Sequence, residues 1–187
     1  MDVYTAIRTR RDTETFGEKR PPREVIERVI EAAVWAPNHK RTEPWCFHVL
    51  AGDSRAAMGE AVAAWLVQSG AGGDGPQQAA RMRLLRAPVI VVLSQIGSPD
   101  DAVRELEDYA ACACALQNLL LAAQAEGLAA HTSTGVMVEY AGAKQYLGLA
   151  PHDRIVAYVY LGFPPVGGVT KEGARRDPVV CWEWPEA

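Results

Sequence analysis

Only four cysteines occur in this 187-residue chain, Cys46, Cys112, Cys114 and Cys181, and no two are spaced as CxxC. A disulfide framework is therefore not expected, and the thiols read as reduced. Cys112 and Cys114 stand two apart in a helical pattern, so they point in nearly opposite directions and cannot converge on one metal. The histidines His39, His48, His131 and His152 are scattered, with no HxxxH spacing, and no metal site is expected. Neither a Ser/His/Asp arrangement nor a nucleophile elbow is present. Charge of one sign is not accumulated: 19 basic residues stand against 23 acidic ones, and no basic run could neutralise a phosphate backbone. Nucleic acid is therefore not expected as a partner. The longest apolar run, Tyr109 to Ala125, is broken by Gln117 and Asn118 and is shorter than a membrane span. The opening MDVYTAIRTRR has no apolar stretch of signal-peptide type. A soluble, cytoplasmic protein with no membrane partner is the expectation.

What is present suits one domain over residues 1–187, about half of whose residues are apolar. Asp2 can cap a first helix running to about Arg10. Pro21 and Pro22 open a second, in which Val25, Ile26, Val29, Ile30 and Ala33 form an apolar stripe. Pro37 disfavours helical geometry at Ala36, so this helix ends there. A first strand is expected at Cys46–Ala51, and Asp53 starts a third helix with Met58, Ala61, Val62, Trp65 and Leu66 facing inward. A glycine-rich loop, Gly70–Pro76, precedes a short helix at about Gln77–Leu85. The run PVIVVLS suits a strand buried on both faces. Ser98 and Pro99 are expected to open the longest helix, which ends at Gly127. Its second half is apolar nearly all round and must be covered on every side, and its small alanines, Ala110, Ala111, Ala113 and Ala115, allow another helix close approach. A strand at Leu128–Ser133, a helix at Glu139–Leu147 and a strand at Arg154–Leu161 follow. The Pro/Gly-rich tail ends in a further expected strand, Pro178–Trp182. Its Val179, Val180, Trp182 and Trp184 are too apolar to float in water, and a neighbouring subunit is the expected place for them. Helices separating most of the strands argue for a layered α/β or α+β sandwich.

GAGGDG at Gly70–Gly75 matches GxGxxG, but a helical pattern precedes it where the dinucleotide fingerprint needs a strand. It reads as a loop. Two clusters near the start carry more. Arg10-Arg11-Asp12-Thr13-Glu14-Thr15-Phe16 follows the first helix; it is either a solvated charged loop or an anion site made by paired arginines and a hydroxyl. Ala36-Pro37-Asn38-His39-Lys40-Arg41-Thr42-Glu43-Pro44-Trp45 is a loop braced by prolines, stiff enough to hold its basic side chains in place.

These clusters resemble the nitroreductase family of flavoproteins, in its small single-domain bacterial branch. RRDTETF is similar to the family's Arg-Arg-Ser-x-Arg-x-Phe, and WAPNHKRTEPWCF to its Ala-Pro-(Ser/Asn/Asp)-x-x-x-x-x-Pro-Trp-x-Phe segment. VYLGFP matches its closing strand, and the alanine-rich helix before EGL falls where the family has its buried dimer helix. The resemblance implies an α+β fold, a three-layer sandwich with a mixed central sheet flanked by helices. It implies a domain-swapped homodimer, with a tail from about residue 163 exchanged with the partner, and two FMN molecules at the interface. Arg10, Arg11 and Asp12 would contact FMN from one subunit, and Trp35 and His39 would reach the FMN of the other. His131, Thr132 and Ser133 would run along the flavin, and the backbone at Gly162 would approach it. Lys171, Arg175 and Arg176 are loose matches for phosphate binding.

The implied activity is hydride transfer from NAD(P)H, through flavin N5, to nitroaromatics, quinones or other flat acceptors in a ping-pong scheme. No protein nucleophile is required, and Arg10 or Arg11 would offset the charge of the reduced ring. Two departures stand out: Asp12 replaces Ser and Glu14 replaces Arg. Unpaired carboxylates there would repel a phosphate, so Asp12 is expected either to pair with Arg10 or Arg11 or to point toward the ring. The alternatives are an FMN-binding or storage protein without turnover, and the oxygen-dependent flavin-fragmenting branch, which shares RRDxRxF.

Overall fold

A computed structural model describes residues 1–70, 73–167 and 175–183. Lys171 and Trp184, to which expectations were attached, lie outside the described residues.

Four strands form one sheet in the order β1-β2-β4-β3, with β1 at Trp45–Ala51, β2 at Val89–Gln95, β3 at Ala129–Ser133 and β4 at Arg154–Gly162. Neighbouring strands pair antiparallel, and the parallel component is an isolated bridge from Asp12 to Ala130 on the outer edge of β3. All seven residues of β2 are buried, as its continuous apolar run requires. Alternate residues feed two different cores. Val89 and Val91 pack with Val159, Leu161 and two helices, α2 (Arg23–Ala33) and α5 (Ala102–Ala125). Ile90 and Val92 pack with Tyr158, Tyr160 and three others, α3 (Asp53–Gln68), α4 (Asp74–Leu85) and α6 (Ala141–Leu147). The result is a three-layer sandwich of helices, sheet and helices. A short α1 (Val3–Thr9), capped by the Asp2 carboxylate on the Thr5 amide, lies against α5.

The α2 stripe behaves as its spacing predicts, with Ile26, Val29 and Ala33 buried and Glu24, Glu27 and Arg28 exposed. Arg28 ties α2 to the end of α5 through two hydrogen bonds to Glu126, at 3.0 and 2.6 Å.

Several boundaries differ from expectation. Helix α5 begins at Ala102, not at Ser98–Pro99, because Asp101 is the better cap: its carboxylate takes the Arg104 amide, while the Ser98 amide is used by Glu105. Helix α4 starts three residues earlier than expected, at Asp74, because Pro76 falls in the first turn, where an N–H has no helical acceptor anyway. Within the chain, Ala111 and Ala115 of α5 face the core while Ala110 and Ala113 stay exposed. Ala115 packs with Ala33 of α2, and a further close helix contact occurs at Gly59 of α3, where a Cβ would lie 3.2 Å from Arg81 Cα of α4. The strand expected at Pro178–Trp182 is absent: residues 175–183 carry no regular structure and are exposed, since no edge of their own sheet pairs with them. None of the described helices is long and apolar enough to cross a membrane.

Candidate functional site

The first cluster sits on the edge of β3. The chain leaves α1 at Arg10 and runs beside β3, where Thr13 N–H donates to the Ala130 carbonyl at 3.1 Å. Asp12 pairs with neither Arg10 nor Arg11, contrary to one of the two expectations. Its Oδ2 lies 2.8 Å from His131 Nδ1, and its Oδ1 accepts the Thr132 amide at 3.2 Å. Glu14 is neutralised separately by Arg86, at the end of α4, with Nη1 to Oε2 at 2.5 Å. The other ring nitrogen of His131 is 4.0 Å from Glu14 Oε1. The imidazole therefore stands between two carboxylates, with its face 5.5 Å from the ring of buried Tyr160. Burial pushes the Tyr160 hydroxyl's pKa up, so it stays a neutral phenol. Both departures from the family's pattern are thus locally compensated.

Arg11 folds back, donating from Nη1 to the carbonyls of Arg8 and Arg10 at 2.6 and 2.9 Å. It lines a cleft of about 340 Å³ with Thr9, Gln124, Leu128 and Ala129. Arg10 is half-buried at the same corner. Thr132 and Ser133 complete the edge of β3, opposite Val159 and Tyr158. Gly162, at the end of β4, is confined from within the chain: a Cβ there would lie 3.0 Å from Pro88 Cγ and Cδ and 3.1 Å from Phe16 Cβ.

The second cluster is at the opposite end of α5. Trp35 follows α2 and is 81 % exposed. His39 opens a single 3-10 turn, His39–Arg41, and its Nδ1 is 2.9 Å from Glu107 Oε2 on α5. Thr42 hydrogen-bonds the buried Asp108 carboxylate, and Asn38 Oδ1 accepts the Glu43 amide at 2.7 Å. These contacts make the proline-braced loop a positioned one. A groove of about 160 Å³ lies between it and α5.

The predicted site residues therefore fall into two groups. Arg10, Arg11, Asp12, His131, Thr132 and Ser133 converge at the edge of β3, near the end of α5 marked by Thr9's contact with Gln124. His39 does not join them; Trp35 follows Ala32, whose carbonyl accepts from Asn118 Nδ2 of α5 at 3.4 Å. Glu107 and Gln124 are seventeen residues apart on α5, about 25 Å along its axis. Glu107, Asp108 and Arg86 were not anticipated. A signal existed for Asp108, an acidic residue heading an apolar helix face; there was none for Arg86, whose partner Glu14 is 72 residues away.

A model of the nitroreductase family matches residues 7–163, and the chain belongs to that family. Among curated relatives is YdjA of Escherichia coli (strain K12), whose name provisionally assigns it as an NAD(P)H nitroreductase; it is 26 % identical over 91 % of this chain and 92 % of its own. A solved structure of a nitroreductase-like family protein from Bacillus cereus is 26 % identical, with TM-score 0.83, covering 95 % of this chain and 92 % of that one. NfnB of Sphigopyxis sp. strain HMH, described as an FMN- and NADPH-dependent nitroreductase, shares the fold at 19 % identity, with TM-score 0.76 over 98 % of this chain and 99 % of that one.

Proposed function

We propose that this protein is an FMN-dependent oxidoreductase. It would pass hydride from NAD(P)H to nitroaromatics, quinones or other flat acceptors, in a ping-pong scheme, from sites formed by two copies of the chain. The observation that carries the reading is the separation of the two clusters. About 25 Å of α5 lies between them, so one chain cannot close both around one flavin. A second copy laid head-to-tail on α5 brings the His39 loop of one subunit to the Arg10–His131 corner of the other. The surface available for that contact is apolar: Val103 and Leu106 on α5 are each 70 % exposed, and Tyr4 and Ile7 on α1 are 67 % and 52 % exposed. Exposure of Val179 and Trp182, at 98 % and 78 %, supports a tail exchanged with the partner.

The residues fit the cofactor in charge and donor type. FMN would supply the hydride chemistry at its N5 when bound. Arg10 and Arg11 would hold its anionic and electron-rich groups, and the edge of β3 at His131–Ser133 would flank the ring. Asp12 and Glu14 are occupied by His131 and Arg86, so the carboxylates do not confront a phosphate alone. Trp35 and His39 would wall the pocket from the second subunit.

The test is direct. Purified protein reconstituted with FMN should run as a yellow dimer, be bleached by NADPH or NADH without air, and recover its colour on adding a nitroaromatic or a quinone. Yellow protein indifferent to both nicotinamides would make it a storage protein. Loss of flavin in air after reduction would place it with the flavin-fragmenting branch. A colourless monomer that FMN does not stabilise would refute all three.

A further inference from the structure

The His39 loop is more constrained than a pocket wall requires. Lys40, Arg41 and Glu43 adopt φ of 57°, 51° and 47°, left-handed conformations that non-glycine residues hold only under constraint. The constraint comes from the buried Asp108 carboxylate on Thr42 and from Asn38 on Thr42 and the Glu43 amide. What the turn delivers is one imidazole, with Nδ1 against Glu107 at 2.9 Å and the side chain 59 % exposed. Among the described residues its Nε2 makes no hydrogen bond. A carboxylate on Nδ1 fixes the ring and its tautomer, so proton exchange is confined to Nε2.

We propose that His39 is the proton donor of the acceptor half-reaction, with Glu107 as its positioning residue. This rests on the FMN reading above. Hydride addition to a quinone leaves one oxygen anionic. That oxygen forms its O–H bond as the His39 Nε2–H bond breaks, the electron pair stays on nitrogen, and the neutral imidazole regains a proton from water. For a nitro group, one hydride and one proton convert it to a nitroso group and water. Glu107 holds Nδ1–H and so keeps Nε2 aimed outward before and after transfer. The other charged groups around the ring are Lys40 of its own turn and Asp101, Arg104 and Asp108 of the α5 end, of which Arg104 and Asp108 pair with each other at 3.4 Å. Transfer from this end of α5 serves the site of the partner subunit, where the Arg10–His131 corner of that copy lies.

The experiment uses FMN-loaded dimer pre-reduced with dithionite, mixed anaerobically with p-benzoquinone or with ferricyanide, which takes electrons and no proton. FMN affinity is measured separately by fluorescence quenching. Assayed at saturating FMN, His39→Gln should slow reoxidation by p-benzoquinone by about 100-fold, the scale of a lost general acid, and reoxidation by ferricyanide far less, while the separate titration gives whatever FMN affinity is lost with the pocket wall. Glu107→Gln should slow p-benzoquinone by about tenfold with ferricyanide rates unchanged, and Glu107→Asp should recover part of the p-benzoquinone rate. Equal slowing with both acceptors at full FMN occupancy, or unchanged p-benzoquinone rates, would overturn the assignment. A wild-type chain that binds no FMN would overturn the parent reading and this one with it, an outcome distinct from FMN-loaded variants that behave as wild type.

Discussion

Replacing Gly162 by alanine separates two explanations for a glycine at the end of β4. The resemblance puts it beside the flavin; the packing puts it between Pro88 and Phe16. A Cβ there would lie 3.0 Å from two atoms of the Pro88 ring and 3.1 Å from Phe16 Cβ. The proline ring is fixed to its backbone, so Phe16 is the side that yields. Overpacking of this kind costs about 1–3 kcal/mol. Loss of glycine's unfolded-state freedom offsets about 0.4–1 kcal/mol of that. At the centre of these ranges the net expectation is a destabilisation of about 1.3 kcal/mol, and for a chain of this size a fall in Tm of about 3–5 °C. The assay is thermal unfolding of the apo-protein, followed by FMN titration. Because Phe16 closes the segment that begins at Arg10, and because Gly17 N–H donates to the Phe163 carbonyl at 2.9 Å, FMN affinity should fall together with apo stability. An apo Tm equal to or above that of wild type would refute the packing argument. Weaker FMN binding with apo stability unchanged would assign the glycine to the flavin instead.

Removing the imidazole of His131 takes away the hydrogen-bond partner of the Asp12 carboxylate beside the proposed cofactor; His131→Ala should weaken FMN binding by about tenfold, and adding Asp12→Asn should recover much of it. Fluorescence quenching reads both, and a double variant no better than the single would refute the compensation. Thiol labelling should distinguish the cysteines. Cys112 is fully buried and its pKa is pushed up to about 12 by desolvation, so it should stay unmodified in the native protein. Cys114 is exposed on α5 in the single chain and should be protected once two copies associate through that helix, so peptide mapping that finds it labelled as fast in the dimer as in the denatured chain would contradict the proposed interface.

Much of the layered fold was legible because it follows from local periodicity. The α2 stripe and the unbroken run of β2 each have one reading, and both elements lie where that reading puts them. Competing local signals were resolved less well: Ser98–Pro99 and Asp101 are all plausible helix openings, and only the carboxylate's reach to the Arg104 amide decides between them. Strand order was not legible, since β4 inserts between β2 and β3 through contacts remote in sequence. The site was legible as two motifs and illegible as a geometry. His131 and Asp12 are 119 residues apart, and no spacing rule connects them. The charge conflict that Asp12 and Glu14 posed as departures from the family's motif eases once their partners, His131 and Arg86, are identified.

Helix α5 also acts as a ruler. Its 24 residues hold the arginine corner and the histidine loop at a separation that neither motif can adjust alone. In the proposed dimer, the distance between a flavin and the imidazole facing it would then be set by how two such rods lie against each other, a property of the exposed residues between their ends. Substitutions on that outer stripe, such as at Leu106 or Ala110, can reshape the slot offered to an acceptor while every residue of both motifs stays the same.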